Sequence, residues 1–299
     1  MLGAFLTTIF FSLSAIFANR SIKAVGSVHA NLGRLFVAVV FLGSYAHVFG
    51  NGFGGAGRDW FILSGIIGMG LGDLASFAAL PLLGSRITVL VVQCLAVPIA
   101  MLTEWLWLGT TLRSSQVAWS FVILAGIVVA VLPSRTNPPR VQVKLGGFIF
   151  GFLAACGQGF GAVISRKANA LTALAGEPID GITAAYQRIV GGLVITVVYF
   201  AMRFAFSKNS ENPLTPQTRA PRDYGWIVAN ALCGAVIGVS CYQWSLATTP
   251  SGIVLPIVAT TPLVIVPLSY WLEGEKPTRR SLVGGVIAVT GVIALTVVR

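Results

Sequence analysis

Charged side chains are scarce in this sequence. Only 10% of its 299 residues are Asp, Glu, Lys or Arg, and only nine of them are acidic. A water-soluble protein needs roughly a quarter of its residues charged to cover its surface. The mean hydropathy of +0.85 and the 56% share of hydrophobic residues point in the same direction. The composition therefore excludes a soluble domain and predicts a chain embedded in a lipid bilayer.

Catalytic and metal-binding motifs are also missing. The sequence has two histidines and contains no His-Glu-x-x-His, no Gly-x-Ser-x-Gly and no P-loop. Its four cysteines lie inside apolar segments without a Cys-x-x-Cys spacing, so we expect them to pack rather than to bind metal. We predict no cofactor and no metal, and a membrane-embedded enzyme acting on lipids is the least favoured alternative.

Basic residues outnumber acidic ones and give a net charge of +11. On a soluble protein this excess would suggest nucleic acid, but here Lys and Arg fall mostly between apolar segments. That placement is typical of contact with anionic lipid headgroups and of topology control. The predicted partner is therefore the lipid bilayer and not a nucleic acid.

Ten apolar segments are long enough for a helix to cross the roughly 30 Å hydrocarbon core. The first has no basic flank before it, so we expect an uncleaved span. The alternation typical of a membrane β-barrel is absent, which predicts an all-α protein. The predicted spans, numbered 1 to 10 in chain order, are 3–19, 32–49, 60–82, 87–108, 117–133, 146–164, 182–203, 224–246, 252–272 and 282–298.

The two halves of the chain repeat one pattern. Trp105 and Arg113 match Trp271 and Arg279 at a single offset, and Arg34 and Arg188 occupy matching places near the starts of spans 2 and 7. We place repeat 1 at 1–135, a linker at 136–143 and repeat 2 at 144–299. Because five spans per repeat is an odd number, the second copy must be inverted. Inverted repeats of this kind enclose a central cavity in secondary transporters.

A family resemblance lies in the second half. Leu272-Glu273-Gly274-Glu275-Lys276-Pro277-Thr278, followed by Gly284-Gly285 and Thr290-Gly291-Val292, resembles the end of an EamA domain of the drug/metabolite transporter superfamily. The first half departs from the pattern, because Leu108–Leu112 lacks the acidic residue of the joint. The resemblance implies ten helices, no cofactor, and export or exchange of small metabolites such as amino acids. It also implies a cavity lined by spans 1, 3, 4, 6, 8 and 9.

The same resemblance implies a multi-pass protein of the cytoplasmic membrane that works as a monomer or weak dimer. Ten spans put both termini on one side. The distribution of Lys and Arg over the joints favours termini outside the cell, whereas family members usually keep them in the cytoplasm. Orientation is therefore left open.

Asp73 is the main candidate for chemistry, because a carboxylate within a predicted span needs a reason to be there. It follows the glycine-rich run Gly68-Met69-Gly70-Leu71-Gly72, with Ser76 one turn further on. Asp73 could bind a substrate ammonium or take up a coupling proton. The structural alternative is a carboxylate satisfied by a nearby Arg, Ser or backbone group.

The secondary candidates are Arg34 and Arg188. Each is expected to snorkel or to contact backbone carbonyls. The functional alternative is a clamp for a substrate carboxylate, for which the guanidinium is well shaped. Glu104, which ends span 4 beside Trp105, is expected at the membrane interface.

Neutral polar residues deep in predicted spans complete the set. A few convergent polar groups among aromatic side chains are what a small ligand needs, and the alternative for each is a hydrogen bond between helices. Prolines interrupt spans 4 and 9, which are repeat partners, and point to a site there. The polar candidates are Ser12, Ser76, Gln93, Gln158, Tyr242, Gln243, Trp244, Thr260 and Thr261.

The sequence thus predicts a secondary active transporter that moves a small metabolite by alternating access, with protons as a candidate coupling ion. The first alternative is a passive channel or facilitator on the same scaffold.

Overall fold

The computed structural model describes residues 1–132, 142–206, 221–273 and 278–297. Within those ranges it is helical and has no strand. Ten helices are long and apolar enough to cross a membrane, which confirms the predicted all-α fold with ten spans. Spans 1 to 10 are Leu2–Ile22, His29–Val48, Arg58–Gly84, Ile87–Leu108, Ser114–Val131, Leu145–Leu174, Gly181–Met202, Tyr224–Thr248, Ser251–Leu268 and Arg279–Val297.

Several spans are assembled from more than one helical piece. Spans 3 and 8 each contain a π-helical turn, and span 9 is broken near its middle. The α-helices are Leu2–Val25, Ser27–Val48, Arg58–Gly65, Asp73–Leu108, Ser114–Val131, Leu145–Leu174, Gly181–Phe206, Pro221–Asn230, Val239–Thr248, Ser251–Ala259, Thr261–Glu273 and Arg279–Val297, and the π-helices are Ile66–Gly72 and Ala231–Gly238. The predicted linker 136–143 lies almost entirely outside the described residues.

The spans pack as partners between the two repeats. Span 2 packs on span 7, and span 5 packs on span 10. Span 1 lies against spans 8 and 9, and span 6 lies correspondingly against spans 3 and 4. Span 1 corresponds to span 6, span 2 to span 7, and so on through the repeats. If each span is replaced by its counterpart, every one of these contacts becomes itself or another contact of the same set. With five spans in each, the repeats form an inverted pair around a common centre.

The π-helical turns obey the same symmetry. They end at Gly72 and Gly238, which are separated by the 166-residue offset that also relates Trp105 to Trp271. Gly72 approaches Gly157 of span 6, where an added Cβ would lie 3.3 Å from the Gly157 Cα. A π-helical turn widens the helix and re-aims the side chains that follow it. The sequence analysis did not predict these turns.

Buried hydrogen bonds join span 1 to its neighbours. Ser14 Oγ donates to Asn230 Oδ1 of span 8 over 2.6 Å. Thr8 Oγ1 donates to the Ile257 carbonyl of span 9 over 3.2 Å. In the symmetry-related place, span 3 meets span 6 through Ser64 Oγ, 2.8 Å from Ser165 Oγ. Hydrogen bonds of this kind stabilise helix contacts where no water competes.

The prolines have different effects in spans 4 and 9. The helix Asp73–Leu108 is kinked at Gly84, and Pro98 lies in the part after the kink without breaking it, whereas span 9 is interrupted at Thr260. Pro262 has no N–H to give to the Val258 carbonyl four residues earlier. The Thr261 hydroxyl donates to that carbonyl over 2.6 Å. The carbonyl group that Pro262 leaves without an N–H donor thus accepts a hydrogen bond from a side chain of the same turn.

Span 6 is longer than predicted, since the helix continues to Leu174 rather than ending near residue 164. Residues 164–175 contain neither glycine nor proline, so nothing local stops the helix. The pair Arg166-Lys167 was assigned to a joint because charges usually mark span ends. Arg166 is instead half-buried within the helix, and its partners are described below.

Close packing of spans 5 and 10 gives a stability test. A Cβ added to Gly284 would lie 2.5 Å from the Gly126 carbonyl oxygen, whereas one added to Gly285 would meet nothing within 4 Å. We therefore expect Gly284→Val to destabilise the protein by about 1–3 kcal/mol or more, because the backbones cannot separate freely. The melting temperature in detergent measures the effect.

The matched control is Gly285→Val, one residue away on the open side of the same helix. It should melt close to the wild-type temperature. Equal melting temperatures for the two variants would contradict the packing described for this pair.

Candidate functional site

The first charged pair of the site joins spans 2 and 3. Arg34 Nη2 donates to Asp73 Oδ2 over 3.1 Å and to Asn31 Oδ1 over 2.8 Å. Asp73 is the first residue after the π-helical turn Ile66–Gly72, so that turn sets the direction of the carboxylate. The side chains of Arg34 and Asp73 are 21% and 34% exposed. Asp73 is therefore ion-paired and still reachable, and it combines features of both alternatives stated for it.

Arg188 of span 7 lies deeper. The residue is 5% exposed, and its Nη1 donates to Ser165 Oγ of span 6 over 3.1 Å. Its guanidinium carbon lies 5.5 Å from the ring centre of Tyr242, which is within cation–π range. The Nε of Arg188 and the hydroxyl of Tyr242 are both buried without a hydrogen-bond partner among the described residues. Ser165 of span 6 and Tyr242 of span 8 thus flank the buried guanidinium of Arg188.

Gln93 and Gln158 meet across the repeats. Gln158 Nε2 of span 6 donates to Gln93 Oε1 of span 4 over 2.7 Å, with the amide orientations as assigned. Both residues are half-buried. Both glutamines were candidate site residues, and they come from different halves of the chain.

Other predicted site residues are placed differently. Ser12, Thr260 and Thr261 are buried, and each hydroxyl donates to a backbone carbonyl. Gln243 is fully buried, and neither of its amide atoms has a partner among the described residues. Trp244 is 48% exposed. Successive helical residues point about 100° apart, so Tyr242, Gln243 and Trp244 do not share a direction. Ser76 is half-buried.

A charged network that was not predicted lies where the ends of spans 4 and 8 meet the start of span 9, on the side of the bundle that we call the Glu104 face. Arg166 Nε donates to Glu104 Oε1 over 3.1 Å, and Arg166 Nη1 donates to the Leu246 carbonyl over 2.8 Å. The other oxygen of Glu104 accepts the Ser251 N–H over 2.7 Å and also the Ser251 hydroxyl. The network links span 4 of repeat 1 to spans 6, 8 and 9 of repeat 2.

The position of Glu104 has a physical reason. Ser251 is the first residue of the helix Ser251–Ala259, whose free N–H groups and dipole favour a carboxylate. Glu104 is only 2% exposed, so near the end of span 4 its side chain lies inside the bundle. Its guanidinium partner comes from the extension of span 6 that the sequence analysis assigned to a joint. The absence of glycine and proline from residues 164–175 was the signal that could have predicted this extension.

An apolar surface groove lies away from all these groups. It has a volume of about 480 Å³ between spans 9 and 10, with an apolar lining that includes Leu263, Pro267 and Val286. Val286 is 68% exposed on the outside of the bundle. We interpret this groove as part of the lipid-facing surface.

Ten helices in two inverted repeats, with the Glu104–Arg166 ion pair and polar contacts between the repeats, define a multi-pass membrane protein. The family model for the EamA-like transporter family matches residues 1–132 and 145–297. The chain belongs to that family and, with it, to the drug/metabolite transporter superfamily.

Comparison with solved structures agrees on the fold. One protein crystal structure superposes with a TM-score of 0.77 at 14% sequence identity. The alignment covers 99% of this chain and 96% of that chain. A search of curated proteins found no match.

The Glu104 network predicts coupled effects of mutation. Replacing Glu104 with Gln leaves Arg166 without its carboxylate, and a hydrogen bond to a charged group contributes about 1.5–3 kcal/mol. We expect Glu104→Gln and Arg166→Gln each to lower the melting temperature in detergent. The double variant should lose less than the sum, because the second change removes an already unpaired group.

Arg58 and Asp59 provide the comparison, since they form an ion pair 47% and 79% exposed. Removing either of them, or both, should change the melting temperature little. Strictly additive losses for Glu104 and Arg166 would show that the two side chains do not interact.

Proposed function

We propose that the protein is a secondary active transporter that moves a small metabolite across the cytoplasmic membrane by alternating access. The supporting observation is that Arg34, Asp73 and Arg188 lie within spans 2, 3 and 7, between the repeats. Charged groups at membrane depth are costly, and they commonly mark substrate or ion pathways. Membership of a transporter family is consistent with this reading. Because the number of spans is even, both termini lie on the same side of the membrane. Ten spans from one chain are enough for a complete pathway, so no second subunit is needed.

The Glu104 network supports the alternating-access part of the proposal. It joins the two repeats at one face, and its carboxylate is buried. Asp73 keeps one third of its side-chain surface exposed. We interpret this arrangement as a state closed at the Glu104 face and reachable from the opposite one. Opening the closed face would require the Glu104–Arg166 contact to separate.

A transport assay with purified protein in proteoliposomes tests the carrier mechanism. The panel would contain radiolabelled amino acids, nucleobases, sugars, organic acids and cationic drugs. For a carrier, uptake of at least one compound should saturate, and preloading with unlabelled compound should accelerate it by counterflow. A flux that neither saturates nor shows counterflow would favour a passive facilitator, and no flux of any compound would contradict both.

Asp73 is proposed as the coupling carboxylate. The groups that face it are Arg34 in the ion pair and Arg188, which interacts with it electrostatically. Asp73→Asn keeps the side-chain size but cannot exchange a proton. We expect this variant to lose accumulation driven by a pH gradient while it keeps substrate exchange. Both are measured in the same proteoliposomes.

The matched control is Asp59→Asn, which removes an exposed carboxylate at the start of span 3 and should leave both activities unchanged. Accumulation driven by a pH gradient in Asp73→Asn at the wild-type level would exclude Asp73 as the coupling group.

A further inference from the structure

The two repeats differ at the position of the Arg34–Asp73 ion pair. The offset that relates Gly72 to Gly238 also relates Asp73 to Val239. Arg34 and Arg188 occupy equivalent places on spans 2 and 7. Repeat 1 therefore supplies its arginine with a carboxylate, whereas repeat 2 has a valine at the corresponding position. Val239 is buried, in the same apolar cluster as Ile189, the residue after Arg188.

Arg188 is under-satisfied where it lies. A guanidinium carries five N–H donors. The hydrogen bonds of the described residues give Arg188 a single side-chain acceptor, Ser165 Oγ, and no carboxylate within ion-pair distance. Its Nε is buried without a partner. A desolvated cation with so few acceptors is costly unless an anion completes its surroundings.

Two glycines let the Arg188 guanidinium approach the backbones of spans 3 and 6 closely. A Cβ added to Gly68 would lie 2.8 Å from Arg188 Nη2, and one added to Gly161 would lie 3.2 Å from it. Gly68 belongs to the π-helical turn of span 3, and Gly161 belongs to span 6. Tyr242, on span 8, presents a second unpartnered donor, its buried hydroxyl, beside the same guanidinium. The Tyr242 side chain of repeat 2 and one glycine from each repeat thus lie around the guanidinium of Arg188.

Charge balance indicates what is missing. Arg34 and Asp73 neutralise one another through their ion pair, and Arg188 adds one uncompensated positive charge to the cluster. A group with a single negative charge would balance it. A carboxylate also matches the fork of guanidinium donors and can accept from a phenol.

We propose that Arg188 and Tyr242 form the binding site for a carboxylate group of the transported metabolite, so that the substrate is an organic anion. The substrate carboxylate takes the place that Asp73 fills in repeat 1. This inference rests on the proposed transport function and specifies the substrate class for it.

Paired ligands test the proposal with the purified full-length protein in detergent. Each pair contains a carboxylate and its neutral amide: lactate and lactamide, benzoate and benzamide, phenylacetate and phenylacetamide. At least one carboxylate should raise the melting temperature in a saturable way, and its amide should not. Equal stabilisation by acid and amide, or no stabilisation by any carboxylate, would overturn the proposal.

Variants at the site refine the test. Tyr242→Phe removes a hydroxyl that has no partner, so it should melt like the wild type but bind the carboxylate roughly tenfold or more weakly. Arg188→Gln should abolish the carboxylate effect. The control Arg58→Gln also removes one positive charge, at an exposed position, and should keep the effect. Carboxylate binding that is unchanged in Arg188→Gln would overturn the proposal even if Tyr242→Phe failed to fold.

Restoring the symmetry of the repeats gives an independent variant. Val239→Asp should supply Arg188 with an internal carboxylate and eliminate the response to added carboxylates, whereas Val239→Asn should retain it. An undiminished response in Val239→Asp would show that Arg188 is not the missing half of an ion pair.

Failure of this inference can be told apart from failure of the proposed function. Saturable counterflow of a neutral or cationic compound, unaffected by Arg188→Gln, would leave the carrier mechanism standing and remove the anion site. Binding of a carboxylate through Arg188 without any flux in proteoliposomes would leave the anion site standing and contradict the carrier mechanism.

Discussion

Every polar group within the hydrocarbon core has to find its partner inside the protein, because no water is available there. In this chain many hydroxyls donate to carbonyls of their own helix, and the other partners come from the other repeat or a neighbouring span. Thr8 and Ser12 of span 1 donate to carbonyls of span 9, and Arg166 of span 6 binds Glu104 of span 4. These contacts fix how the two halves meet. Among the buried groups that remain unpartnered in the described part of the chain, those on Arg188 and Tyr242 lie together and carry the proposed binding site.

The inverted repeats explain both the order and the irregularity of the fold. Equivalent π-helical turns in spans 3 and 8 and equivalent packing of spans 2 and 7 follow from one ancestral pattern. Departures from it carry the specific chemistry. Asp73 has Val239 as its counterpart, so one arginine is neutralised and the other is not. A symmetric scaffold with an asymmetric charge distribution fits a protein that moves one kind of solute between two faces.

Much of the fold was predictable, because span length, repeat parity and the joint residues are direct readouts of the sequence. The charged pair around Asp73 was predictable in part, since an acidic residue within a span requires a partner. The Glu104 network was not, because it depends on span 6 continuing past Arg166 and on the start of span 9 lying beside the end of span 4. Thr260 and Thr261 were assigned to a site by polarity alone, whereas they satisfy carbonyls at the break in span 9. Such local uses of a hydroxyl depend on backbone geometry that composition does not contain.

The central claim is that the repeats rock against one another and that the Glu104 contact closes one face. It can be tested by measuring the distance between spin labels at Leu106 and Thr248, exposed residues at the ends of spans 4 and 8 on that face. The account predicts two distance populations in lipid, with the longer one enriched when Glu104 is replaced by Gln. A single short distance, unchanged by that substitution and by pH, would contradict it.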